Sequence, residues 1–172
     1  MKFMRNLNKN IVFIGMPGCG KSTIGKIVSE KINMKFCDLD IYIEEKENMT
    51  IDEIFKYGET YFRDIEEKSV KEISKLKGYV ISAGGGIVLR KTNIDFLKEN
   101  GIIIFINRPV DKIALDIDVS KRPLLKEEKN RLYKLYEERY NLYKKYCDFE
   151  VENSGTIEES INKIIKILEG DL

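Results

Sequence analysis

The stretch Gly15-Met16-Pro17-Gly18-Cys19-Gly20-Lys21-Ser22-Thr23 limits the architectures open to this chain more than any other. It follows the apolar run Ile11-Val12-Phe13-Ile14 and precedes Ile24, Ile27, Val28 and Ile32 at helical spacing, so a buried strand passes through a glycine loop straight into a helix. The order of Gly15, Gly20, Lys21 and Ser22 is that of a phosphate-binding loop. Glycines let the backbone double back with its N–H groups inward, and those donors, with the positive end of the helix dipole, make a socket for phosphate oxygens. Lys21 can reach the β- and γ-phosphates of a nucleotide, and the Ser22 hydroxyl can ligate the accompanying Mg²⁺. The bland reading is a chance glycine turn with a solvated lysine; it does not account for the strand before the loop and the helix after it.

The rest of the chain repeats the strand-helix alternation. Met34 to Cys37 reads as a second strand ending in Asp38-Leu39-Asp40, where period-two alternation puts both carboxylates on one side. Thr50-Ile51-Asp52-Glu53 is a capping box that opens a helix stopping near Gly58. A further helix carries Phe62, Ile65, Ser69, Ile73 and Leu76 on one face and ends at Gly78. Tyr79 to Ser82 is a third strand, broken by Gly84-Gly85-Gly86, whose lack of side chains marks a tight backbone path. A helix over 92–99 leads to the fully apolar strand Gly101 to Ile106. Periodicity fades from Arg108 to Asn130 while Lys121, Arg122, Lys126 and Lys129 gather positive charge, the pattern of a mobile lid. A helix from Arg131 to Tyr146, a short strand at Phe149 to Val151 and an amphipathic helix from Ile157 to Leu168 complete a layered α/β domain with a mainly parallel sheet.

Length and charge remove several function classes. A chain of 172 residues fits one domain, 1–172, with no second domain needed. Lys and Arg total 30 against 29 Asp and Glu, without the basic excess of a nucleic-acid binder. Three cysteines without metal-ligand spacing, and no histidine, weaken a zinc reading and suit a reducing cytoplasm. The N-terminus has basic residues, an apolar stretch and Cys19 in the manner of a lipoprotein signal, but the apolar part is too short and the loop uses the cysteine. The strongest later apolar run, Ile102 to Ile106, is far below membrane-spanning length, so a soluble protein is expected.

A phosphate loop does not name the second substrate. Asp38 could support Mg²⁺ and Asp40 could take the proton of an attacking hydroxyl, although either could equally cap the next helix. Arg63 lies next to apolar Phe62 with Glu66 three residues on, a pair suited to bidentate capture of a carboxylate or, more blandly, a surface salt bridge.

Taken in order, these motifs resemble the shikimate kinase family over nearly the whole chain: the loop, Asp38-Leu39-Asp40, Gly58-Glu59, Phe62-Arg63, Glu66, Gly84-Gly85-Gly86, Arg122-Pro123-Leu124-Leu125 and Arg139. The resemblance implies a P-loop kinase fold, with a five-stranded parallel sheet in the order 2-3-1-4-5, flanking helices and a mobile lid at about 109–130. It implies substrate-binding helices at about 40–77, a monomer, and transfer of the ATP γ-phosphoryl group to the 3-hydroxyl of shikimate. It assigns phosphates to Lys21 and the loop residues Gly18, Cys19, Gly20, Ser22 and Thr23, Mg²⁺ to Ser22 and Asp38, and the base role to Asp40. It assigns the carboxylate to Arg63 and Arg139, close backbone approach to Gly85 and Gly86, and a catalytic lid contact with the nucleotide to Arg122.

The resemblance breaks at Ala114-Leu115-Asp116, where family members commonly carry an arginine that packs on adenine. Another small-metabolite kinase, resembling gluconate kinase, is the nearest alternative. A GTPase switch would need an Asn-Lys-x-Asp motif, and Asn162-Lys163 is followed by Ile164-Ile165. A nucleic-acid module fits neither the charge balance nor the tyrosines from Tyr133 to Tyr146, which lie largely at helical core spacing.

Overall fold

The structure, a computed structural model, describes residues 8–116 and 124–170. Five strands, β1 (Asn10–Ile14), β2 (Lys35–Asp38), β3 (Tyr79–Ser82), β4 (Gly101–Asn107) and β5 (Phe149–Glu152), form one sheet in the order β2-β3-β1-β4-β5. Every pairing is parallel, with Ile11 opposite Val80 on one side and opposite Ile102 on the other. All five residues of β1 are buried, as a central strand covered on both faces requires. Among the described residues the helices are α1 (Lys21–Lys31), α2 (Leu39–Glu47), α3 (Ile51–Phe55), α4 (Glu59–Ile73), α5 (Lys91–Glu99), α6 (Val110–Leu115), α7 (Leu124–Tyr146) and α8 (Ile157–Glu169), with a 3-10 turn at Ile87–Leu89. Helix α1 packs on β3 and α8, while α5 packs on β4 and α4. No helix among the described residues is long and apolar enough to cross a membrane.

Several boundaries differ from the sequence expectation, each for a local reason. The chain does not stay extended through Asp40: Asp38 caps α2, its Oδ1 accepting the N–H groups of Asp40 at 3.0 Å and Ile41 at 3.3 Å. Asp40 therefore stands in the first turn of a helix, not on the same strand face as Asp38. The capping box at Thr50 opens only the short α3, and α4 ends at Ile73, so Leu76 lies beyond it. Helix α6 and the first two turns of α7 fall where periodicity faded; α6 buries only Ile113 and Ala114, and charged residues mask the start of α7. The centre of the expected lid, with Arg122, lies outside the described residues.

Asn10 ties the α4–β3 turn to the central strand. It is 1% exposed; its Nδ2 donates to the Leu76 carbonyl at 2.7 Å and its Oδ1 accepts from the Tyr79 N–H at 3.1 Å. Asn10→Ala should strand two backbone groups and lower the unfolding free energy by about 1–3 kcal/mol. Urea denaturation checks this; no change in the midpoint would mean that water replaces the amide.

Candidate active site

Parallel pairing brings the C-terminal ends of the strands to one edge, and the sheet order reverses direction beside β1, where a ligand crevice is expected. A cavity of about 400 Å³ lies there, lined by the phosphate loop, Asp38, Asp40, Ser82, Gly84 and Gly85. Gly20 caps α1 at φ 100°, a left-handed conformation that glycine adopts without strain. Lys21 is 8% exposed, and its Nζ donates to the carbonyls of Gly15 and Met16, at 2.9 Å each. Gly18, Ser22 and Thr23 also line the cavity, whereas the Cys19 side chain is fully buried behind the loop, so only its backbone can serve a phosphate.

Asp38 caps the next helix, one of the two roles that sequence left as alternatives, and also meets the hydroxyl of Ser22. One carboxylate oxygen caps α2, and the other accepts from Ser22 Oγ at 2.6 Å, with Ser82 Oγ 3.0 Å from the same hydroxyl. Asp38 and Ser82 are register partners on β2 and β3, which fixes this triad against the loop. Hydroxyl and carboxylate oxygens on a cavity wall suit a hard cation that keeps most of its ligands from phosphate and water. Among the described residues no group of three or more acidic or thiol ligands could hold a metal alone.

Asp40 opens onto the same cavity. Loss of bulk water around it pushes its carboxyl above the usual range, the Asp38 charge adds to this, and Lys21 and Arg63 only partly offset the effect.

Arg63 and Arg139 come from α4 and α7, each 8% exposed. Arg63 Nη1 donates to Glu66 Oε1 at 2.8 Å and Nη2 to Glu59 Oε1 at 3.3 Å, so the pair is buried rather than a surface salt bridge. The triple glycine packs against both of these cations. A Cβ on Gly86 would fall inside the Arg63 guanidinium, and one on Gly85 would lie 3.4 Å from Arg139 Nη1. The Nε atoms of both arginines have no partner, and neither does Glu66 Oε2. Burial raises the Glu66 carboxyl, with Arg63 opposing. Buried guanidinium donors of this kind suit an anionic acceptor.

Sequence reasoning missed Ser82, which only the register brings to Ser22, and Tyr143, read as core, whose hydroxyl donates to the Gly85 carbonyl. The structure brings Lys21, Ser22, Asp38, Asp40, Gly85, Gly86, Arg63 and Arg139 to this one edge of the sheet; Arg122 lies outside the described residues.

This fold, with a phosphate loop at its switch point and acceptor groups beside it, is that of a P-loop kinase. A family model described as shikimate kinase matches residues 17–169. A shikimate kinase of Clostridium botulinum (strain Alaska E43 / Type E3) is 57% identical over 93% of this chain and 98% of its own length. One from Clostridium beijerinckii is 49% identical over 94% and 96%. Among solved structures, the shikimate kinase from Acinetobacter baumannii in complex with shikimate has a TM-score of 0.86 at 29% identity, covering 98% of each chain. That from Aquifex aeolicus reaches 0.81 at 34% identity, covering 94% of this chain and 97% of its own. A gluconokinase from Sinorhizobium meliloti, 17% identical with a TM-score of 0.63, shares the fold alone. The chain belongs to the shikimate kinase family.

The raised Asp40 carboxyl has a consequence for stability. A carboxyl that holds its proton more tightly in the fold stabilises the native state only while protonated, and that contribution is lost as pH rises through the folded value. Asp40→Asn should therefore melt above wild type at neutral pH, with the gap closing below about pH 4, the unfolded aspartate value. Calorimetry across that range checks this; a variant that melts lower at pH 7 would show that Lys21 and Arg63 outweigh desolvation.

Proposed function

We propose that the chain catalyses transfer of the ATP γ-phosphoryl group to the 3-hydroxyl of shikimate, giving shikimate 3-phosphate and ADP in aromatic amino-acid biosynthesis. The observation that carries this reading is the meeting of two nearly buried guanidinium groups, with unpaired Nε atoms, at the triple glycine beside Asp40. A carboxylated ring seated there presents its anion to the arginines and its hydroxyls to Asp40.

Phosphoryl transfer gains from positioning and charge neutralisation more than from covalent chemistry. Lys21 and the backbone from Gly18 through Thr23 hold the phosphates. Ser22 and Asp38 are the oxygen donors for Mg²⁺, which when bound offsets phosphate charge. Asp40 orients the acceptor hydroxyl and takes its proton, a role that its raised proton affinity supports. Arg63, oriented by Glu66, and Arg139 clamp the carboxylate, while bare backbone at Gly85 and Gly86 lets the ring approach. Arg122 reaches the nucleotide from the lid at about 109–130, a role supported by the clustered positive charge in the sequence. The chain works as a single domain, 1–172, a cytoplasmic monomer without nucleic-acid or membrane partners. Balanced charge and sparse, free cysteines support that setting.

Measuring ADP release with shikimate, with gluconate and without acceptor tests the reading: shikimate alone should stimulate turnover, and equal stimulation by gluconate would overturn it. Arg63→Ala or Arg139→Ala should weaken shikimate binding on the order of ten- to a hundred-fold and spare ATP. Arg63→Lys should not restore full affinity, because an ammonium lacks the planar two-point fit. Calorimetric titration with each ligand separates these outcomes. Asp40→Asn should cut turnover by on the order of a hundred-fold with nucleotide binding retained; turnover unchanged across pH would limit Asp40 to positioning.

A further inference from the structure

The strands β4 and β5 each end on a polar residue that turns back to the phosphate loop. Arg108 follows β4, and its Nη1 donates to the Gly18 carbonyl at 3.0 Å. The same guanidinium forms a fork with Asp116, at 2.6 and 3.4 Å, which spends its charge and fixes its plane. Asn153 follows β5, is 7% exposed, and donates from Nδ2 to the Cys19 carbonyl at 2.9 Å. Its Oδ1 accepts from Ser160 Oγ at 2.9 Å and its backbone N–H donates to the Asn107 carbonyl at 2.8 Å, so the amide is held at both ends.

We infer that Arg108 and Asn153, which border a second cavity beside Gly18, Gly20 and Thr23, are positioning residues that clasp the phosphate loop and hold it in the shape that binds phosphate. The two ends of a trans peptide unit point opposite ways. A Cys19 carbonyl held on the α8 side turns the Gly20 N–H away from that side. A Gly18 carbonyl held by Arg108 secures the turn in which Cys19 N–H donates to the Met16 carbonyl at 3.1 Å. Lys21 engages the carbonyls of Gly15 and Met16, so four carbonyls of the loop have donors that keep them from repelling a phosphate. An unclasped loop would have to order itself at the moment of binding, and affinity would fall accordingly. The fork to Asp116 separates this role from direct phosphate contact: Arg108 acts through the Gly18 carbonyl.

The inference rests on the phosphate-loop reading, and the experiment distinguishes the two. ATP, base-free tripolyphosphate and shikimate are titrated calorimetrically into wild type, Arg108→Gln and Asn153→Ala. Loss of one hydrogen bond to the loop should weaken ATP and tripolyphosphate by the same factor, about two- to tenfold, with shikimate affinity unchanged. Weakened ATP with wild-type tripolyphosphate affinity in both variants would make these residues base or ribose contacts and overturn the clasp. Loss of affinity for all three ligands together with a lowered melting temperature would reduce them to general stabilisers, which also overturns it. Wild-type protein that did not bind tripolyphosphate would overturn the phosphate-loop reading itself.

Discussion

Parallel hydrogen bonding of β1 to β3 on one side and to β4 on the other is the constraint on which the molecule depends. Parallel strands cannot be joined by hairpins, so each connection is a crossover, and every strand delivers its C-terminal end to the same edge. Gly15, Asp38, Ser82, Arg108 and Asn153 all stand at or one residue past a strand end. Part of the site is thus set by residues at these strand ends, whose meeting register decides, while Lys21, Asp40, Arg63 and Arg139 come from the helices that follow. One step of slippage between β2 and β3 would take Ser82 from beside Asp38 and loosen the contact that both make with Ser22.

The same edge concentrates polar groups that are costly to bury. Lys21, Arg63, Glu66 and Arg139 are each less than a tenth exposed, and the last three carry side-chain atoms without partners. A buried ion pair of this kind rarely stabilises a fold relative to apolar packing. Its value here is geometric: Glu66 holds the Arg63 plane against the glycine loop while leaving Nε free. Burial raises the carboxyls of Asp40 and Glu66, so each charge is held at some cost to stability.

The strand cores, the glycine loop and the helices α5 and α8 were legible because period and apolar content agree in those segments. What could not be read was competition between neighbours. Period two ran through Asp38-Leu39-Asp40, yet Leu39 and Ile43, four apart and both fully buried, favoured a helix, and Asp38 was free to cap it. In the site, residues inside dense motifs were visible. Ser82, Arg108, Tyr143 and Asn153 were not, since their roles come from contacts spanning 58 to 134 positions in the chain. Burial of Arg63 also needed the fold, because Gly86 makes the room that its guanidinium occupies.

Helix α7 is one unbroken rod of 23 residues, about 34 Å long. Near its start, Leu132 and Leu135 border a groove with Pro17 and Gly18 of the phosphate loop; farther along, Arg139 and Tyr143 meet Gly85. Both halves of the site therefore lean on one beam. Rigid rods turn small tilts at one end into displacements at the other, so changes in its outer, solvent-facing turns would be felt at both halves.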